Sequence, residues 1–201
     1  MSEAITGPAL GLLEFRSIAM GILAGDAMVK RAPLDTVRAG TVHPGKYLVL
    51  VAGAVASVEE ALAAGRAIGA GALVDELYLP SVHPEVVAAL SGARRPGAGE
   101  ALGVVETTAA AATLGAADAG VKGAQVTLLE VRLADGLGGK AYALFGGALN
   151  DVEVAVDKAV ASLASPELLV ERVVVSQLHP EMRDNLDAHA EFGARVLATR
   201  A

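Results

Sequence analysis

The chain is one module written twice. Ala9-Leu10-Gly11-Leu12-Leu13-Glu14 recurs as Ala101-Leu102-Gly103-Val104-Val105-Glu106, 92 residues further on. Asp26-Ala27-Met28-Val29-Lys30-Arg31-Ala32 keeps that register with Asp118-Ala119-Gly120-Val121-Lys122-Gly123-Ala124. Gly45-Lys46 then pairs with Gly139-Lys140, and Val58-Glu59 with Val152-Glu153, at an offset of 94. Val82-His83-Pro84-Glu85 meets Leu178-His179-Pro180-Glu181 at an offset of 96. The drift amounts to two small insertions, both expected in loops. A sequence with this self-similarity must fold the same unit twice and find a neighbour for each copy's apolar faces.

Ser91-Gly92-Ala93-Arg94-Arg95-Pro96-Gly97-Ala98-Gly99-Glu100 separates the copies; its Gly and Pro density suits neither helix nor strand. The expected organisation is therefore a first domain over 1–90, a linker over 91–100 and a second domain over 101–201. Each copy reads alike. An apolar strand near 9–15 precedes an Ala-rich helix near 18–32, with Ile18, Ile22, Met28 and Val29 at near-helical spacing. Pro33 cannot extend that helix. A strand near 34–41 turns into a strand Lys46–Ala52. Ser57 is the expected N-cap of a second helix reaching Ile68, with Glu59 and Glu60 in its first turn. A fourth strand over Leu73–Leu79 and a short helix opened by His83-Pro84-Glu85 complete the unit. The order β-α-β-β-α-β-α is an α+β pattern with a mostly antiparallel four-stranded sheet, of the split β-α-β kind related to ferredoxin-like folds.

Composition narrows the function. The net charge of −7, with no run of Lys or Arg, argues against nucleic-acid binding, which needs a basic face. The absence of cysteine removes disulfides, thiolate nucleophiles and Cys-ligated metal centres, and fits a cytosolic setting. The segment MSEAITGPALGLLEF lacks a basic stretch followed by an apolar one, so a secretory signal is not expected. The apolar run Tyr47–Val58 falls short of the roughly 20 residues that a membrane helix requires. With 53% apolar residues, the surplus needs another outlet, and lateral subunit interfaces supply one.

Several segments imitate catalytic motifs. Gly40-Thr41-Val42-His43-Pro44-Gly45-Lys46 has phosphate-loop spacing, but Tyr47 stands where Ser or Thr binds magnesium, and a strand follows instead of a helix. The second copy has Ala134 and Ala141 at the corresponding positions and fails twice. Gly136-Leu137-Gly138-Gly139 is no dinucleotide fingerprint, because Ala141 replaces the last Gly. His83 and His179, repeat equivalents before a Pro, suit helix capping better than metal ligation, and His189 has no ligand partner at helical spacing. Glu14 and Glu106, each at the end of an apolar strand, resemble general bases but lack a nucleophile, so structural hydrogen bonding is the expectation. No cofactor and no metal is implied.

The doubled Ala-Leu-Gly-x-x-Glu opening, the Asp-Ala-x-Val-Lys-x-Ala segment and the closing x-His-Pro-Glu resemble the bacterial microcompartment shell domain, over residues 9–90 and 101–190. Two copies in this order look like the tandem, trimer-forming subclass. The resemblance implies a homotrimeric, pseudohexameric tile with a central pore for small polar metabolites, set edge to edge with other shell proteins (hexamers and pentamers) in a cytoplasmic microcompartment. It carries no implication of enzymatic activity, nucleic-acid binding or membrane insertion. It places the pore lining on Val42, His43, Pro44 and Gly45, and on Gly136, Leu137, Gly138 and Gly139. It places tile-edge contacts on Lys30 and Lys122, residues that serve equally as cations at helix C-termini. The family's Pro-Arg-Pro-His segment is Pro80-Ser81-Val82-His83 and Ser176-Gln177-Leu178-His179 here, so an arginine edge contact is not expected. The alternative is a small-molecule-binding or enzymatic α+β protein with a ligand between the repeats.

Overall fold

The structure, a computed structural model, describes residues 5–97 and 99–188. Strand β1 (Ala9–Phe15) leads into helix α1 (Ile18–Arg31), the hairpin β2 (Thr36–Val42) and β3 (Lys46–Gly53), helix α2 (Val55–Gly69), strand β4 (Leu73–Leu79) and helix α3 (Pro84–Leu90). The second domain repeats this with β5 (Ala101–Thr107), α4 (Ala110–Gly123), β6 (Thr127–Leu133), β7 (Ala141–Gly147), α5 (Leu149–Ala161), β8 (Leu169–Val175) and α6 (Pro180–Ala188). Each domain builds a four-stranded sheet, ordered β2-β3-β1-β4 and β6-β7-β5-β8, with every neighbouring pair antiparallel. The two insertions fall in connections. One lengthens the β6–β7 turn: seven residues separate Leu133 from its partner Ala141, where five separate Thr41 from Tyr47. The other lies between α5 and β8.

The period of two along β1 decides how the domains meet. Gly11, Leu13 and Phe15 face α1 and α2; Gly11 lies under Leu62, and Leu13 and Phe15 share a core with Met28 and Val58. Leu10 and Leu12 point the other way, into a core continuous with Ala110, Ala111, Leu114 and Phe145 of the second domain. All seven residues of β1 are buried, because one face closes its own domain and the other closes the contact between domains.

Three local expectations change. Helix α1 buries Gly21, Ala24 and Met28, whereas Ile18, Ile22 and Val29 project to the exposed side. The spacing was helical, but it joined residues of two different faces. Helix α2 starts at Val55 after the extended Ala54, which gives no side-chain cap, so Ser57 lies inside the helix. Gly53, at φ 156°, packs its backbone against Asp35, and the chain turns into the helix three residues before the expected cap. Helix α1 ends at Arg31, with Ala32 already extended ahead of Pro33. The segment between the domains is tied down: Arg95 N–H donates to the Leu129 carbonyl (3.0 Å), and Arg94 pairs with Glu130 (3.1 Å). His189 and Glu191–Ala201 lie outside the described residues.

Candidate functional site: the paired turns and the inter-domain seam

Two features unite the repeats, a pair of hairpin turns and a polar seam around helix α4. The first turn is tight. Gly45, at φ 105°, donates its N–H to the Val42 carbonyl (2.9 Å), a conformation that glycine adopts at little cost. The second runs through Ala134 (φ 45°) and the positive-φ glycines Gly136, Gly138 and Gly139, closed by Leu137 N–H on the Ala134 carbonyl (3.1 Å).

Tertiary structure brings the two turns side by side. His43 Nδ1 lies 2.8 Å from Asp135 Oδ1, with both side chains largely exposed. A Cβ on Gly139 would lie 2.8 Å from Pro44 Cδ, so only glycine allows the second turn to rest against the first. His43, Pro44, Gly45, Gly136 and Gly138 are exposed, Val42 and Leu137 half-buried, and Gly139 buried under Pro44. The phosphate-loop look-alike Gly40–Lys46 is the end of a hairpin, followed by β3 and by no helix N-terminus.

The seam is built from Glu14. It stands on the β1 face that points toward the second domain and is fully buried. One carboxylate oxygen takes the N–H groups of Ala110 (2.7 Å) and Ala111 (3.4 Å), the first turn of α4. The other meets Lys46 Nζ at 2.6 Å. Helix α4 has no side-chain cap of its own, so the first domain provides the anion that its N-terminus lacks. Lys46 reaches the Thr108 carbonyl as well (3.2 Å). Asp75, opposite Glu14 on β4, adds a second carboxyl. Burial pushes its pKa up, the N–H groups of Glu76 and Ala112 oppose the rise, and repulsion from Glu14 reinforces it.

Further along the seam, His83 donates its N–H to Asp118 Oδ1 (2.8 Å), while Asp118 Oδ2 pairs with Lys122 (2.5 Å). Lys122 also donates to the Ser81 carbonyl, in the segment where the expected arginine is missing. Lys122 is thus engaged across the seam within one chain, whereas Lys30 pairs locally with Asp26 (2.6 Å) and is well exposed. Glu85 of α3 accepts from Leu128 N–H (2.7 Å) and pairs with Arg95 (2.6 Å). His83 and His179 each accept an N–H from the Glu two residues on (3.3 Å), the capping role their position implied. Glu106 pairs with Lys140 (2.5 Å) at a half-exposed position and, among the described residues, caps no helix.

Sequence reasoning named Glu14 but missed Lys46, Asp75, Asp118 and Asp135. A signal existed for two of them. The repeat keeps Glu14 with Lys46 and Glu106 with Lys140, and it keeps Asp26 with Asp118, although none of these belongs to an apolar periodicity. Between the repeats, where a ligand was the alternative, Leu10, Leu12, Val86 and Leu114 pack in one core beside the seam's hydrogen bonds. Among the described residues no group of three or more His, Cys, Asp or Glu is arranged to hold a metal, and no helix is long and apolar enough to cross a membrane.

A duplicated α+β unit, joined head to tail by polar capping of one domain's helix and carrying both turns together at one end, defines a tandem-domain assembly protein. The BMC domain model matches residues 9–82 and 101–178. The chain is 42% identical over 174 residues, 87% of its length and 95% of the relative's, to the bacterial microcompartment shell protein PduT of Citrobacter freundii. The carboxysome shell protein CsoS1C of Halothiobacillus neapolitanus is 39% identical over 87 residues, which cover 88% of that relative but 41% of this chain. A solved microcompartment protein from Desulfitobacterium hafniense aligns with a TM-score of 0.76 at 38% identity, covering 89% of this chain and 99% of that one. The chain belongs to the BMC-domain family of microcompartment shell proteins and carries that domain twice.

Proposed function

We propose that three copies of this chain close into a pseudohexameric tile of a microcompartment shell in the cytoplasm, with the paired turns around a central pore. The observation that carries this reading is the juxtaposition of Val42–Gly45 with Gly136–Gly139 through the His43–Asp135 contact. Two unlike turns, repeated by three chains, enclose an opening of threefold symmetry. Its lining combines the backbone dipoles of glycine turns with His43 and Asp135, which suits small polar solutes. The half-buried Leu137 narrows the second turn's share of it.

The role is structural and not catalytic. Among the described residues the buried carboxylates Glu14, Asp118 and Glu130 are each committed to an ion pair, with Lys46, Lys122 and Arg94. Lys30 and Lys122 stand on equivalent last turns of α1 and α4; the Lys30 side chain is well exposed, which supports an edge contact with neighbouring hexamers and pentamers, whereas Lys122 is held by Asp118 and Ser81 within the chain. The kinship with shell proteins of two kinds of compartment supports the setting. Native mass spectrometry, read against the chain's 20.2 kDa, tests the tile. A species of three chains is expected, or six if two tiles stack face to face; a monomer or dimer at high concentration removes both the pore and the tile.

A further inference from the structure

Lys46 belongs at once to the first turn and to the seam. Val42 and Lys46 are the register pair that closes the β2–β3 hairpin, so they flank the turn residues His43, Pro44 and Gly45. Pro44 has a fixed φ, and Gly45 N–H holds the Val42 carbonyl at 2.9 Å, which leaves the turn little freedom relative to its base. From that base the Lys46 side chain runs inward past the second turn. An added Cβ on Gly139 would lie 2.8 Å from Pro44 Cδ, 3.4 Å from the His43 carbonyl oxygen and 3.6 Å from Lys46 Cε. Beyond Gly139 the ammonium meets Glu14 of the first domain (2.6 Å) and the Thr108 carbonyl of the second (3.2 Å). One side chain is thus set against the second turn and bonded to both domains.

Stability is a poor account of this burial. The Lys46 side chain is 18% exposed and that of Glu14 0%, whereas their repeat counterparts Lys140 and Glu106 are 52% and 29% exposed. Withdrawing an ammonium and a carboxylate from water costs much of what their attraction returns, so a buried pair adds little over apolar side chains of the same shape. What it supplies is a fixed place, because both charges are satisfied in one arrangement only.

We infer that Lys46 is a positioning residue for the paired turns: its anchorage on Glu14 and Thr108 holds His43 at hydrogen-bond distance from Asp135. The inference rests on reading those turns as the site that meets solute. The contact has a definite chemical consequence. A carboxylate oxygen only accepts, so at 2.8 Å His43 Nδ1 carries the proton and donates it to Asp135. Gly136 N–H, 3.4 Å from the same nitrogen, is the weaker neighbour. In the neutral ring Nε2 is then unprotonated and offers an acceptor to solvent and solute. A first turn without its anchor loses that bias, and the imidazole returns to the tautomer mixture of free histidine, in which Nε2–H predominates.

The tautomer is read in the unprotonated state by proton–nitrogen correlation spectroscopy of the imidazole rings, with His43 assigned from the resonance missing in His43→Gln. The wild-type chain should show Nδ1–H at His43. Lys46→Met, which keeps the stem's bulk and removes the charge, should invert the ratio in favour of Nε2–H. Two controls should leave Nδ1–H in place: Lys140→Met, the same change at the exposed counterpart, and Val58→Ala, which weakens the buried core on the opposite face of β1. An equal shift in either control overturns the positioning role, as does a folded Lys46→Met chain that keeps Nδ1–H; the paired turns then stand as the site without it. A wild-type chain lacking Nδ1–H at His43 overturns the reading of the turns as well. Should Lys46→Met fail to fold, Lys46→Gln decides: it keeps a donor but no charge, and an unchanged tautomer ratio refutes the role.

Discussion

Glu14 is fully buried between an ammonium and a helix N-terminus, so replacing its carboxylate leaves both without their anion. Glu14→Gln keeps the side chain's shape and one acceptor, but it removes the charge that faces Lys46 at 2.6 Å and the first turn of α4. Breaking one side of a buried, hydrogen-bonded ion pair costs about 3–5 kcal/mol, and the acceptor that Gln retains puts this change near the lower end. Lys46→Met should cost about the same, because it leaves the Glu14 carboxylate buried with only backbone donors. The pair changed together should cost about 3 kcal/mol, not 6, since neither charge is then left alone. A chain of this size loses about 2–4 °C in Tm per kcal/mol, so each single variant should melt about 6–12 °C lower. Urea unfolding of dissociated chains gives the free energies directly. Glu106→Gln is the internal comparison: its pair with Lys140 is half-exposed in one chain and should be worth about 0–1 kcal/mol there. Strictly additive costs at Glu14 and Lys46, or equal costs for Glu14→Gln and Glu106→Gln in the dissociated chain, would refute the capping role.

Two further outcomes follow from the same packing. Because the pKa of Asp75 is raised by burial, its stabilising contribution is present at low pH and is lost as pH rises through that raised value, so Asp75→Asn should raise Tm at pH 7 and do less at pH 4. Equal effects at the two pH values would contradict this. Gly69→Ala would place a Cβ 2.2 Å from Cε1 of the buried Phe15 ring; a loss of about 1–3 kcal/mol in urea unfolding is expected, and a neutral result would show that the ring can move aside.

The BMC-domain kinship gives these interactions a common purpose. A shell tile must hold many identical domains in one plane without covalent links. Capping a neighbour's helix with a buried carboxylate, as Glu14 does for α4, fixes position and orientation together because it needs both the oxygen and the helix end in place. In this tandem chain one such joint is intramolecular and forms at high effective concentration.

Much of the fold was legible from the residues alone. The duplication, the two α+β units, the positions of the first copy's four strands to within about two residues and the histidine caps follow from local periodicity and turn chemistry. The pairing of Glu14 with Lys46 left a trace as well, kept in both copies. Other features were invisible, such as the faces of α1, the start of α2 at Val55, the meeting of His43 with Asp135 and the reach of Lys122 to Ser81. Periodicity shows that a helix has an apolar side but not which neighbour that side meets, and α1 carries apolar residues on two sides. The clearest case is the pair Glu14 and Glu106. Their local sequences match, so the sequence determined that both would end a buried strand as carboxylates. Only the tertiary structure decided that Glu14 caps a helix 96 residues away while Glu106 remains half-exposed, because connectivity places a second domain on one side of the duplicated unit and solvent on the other.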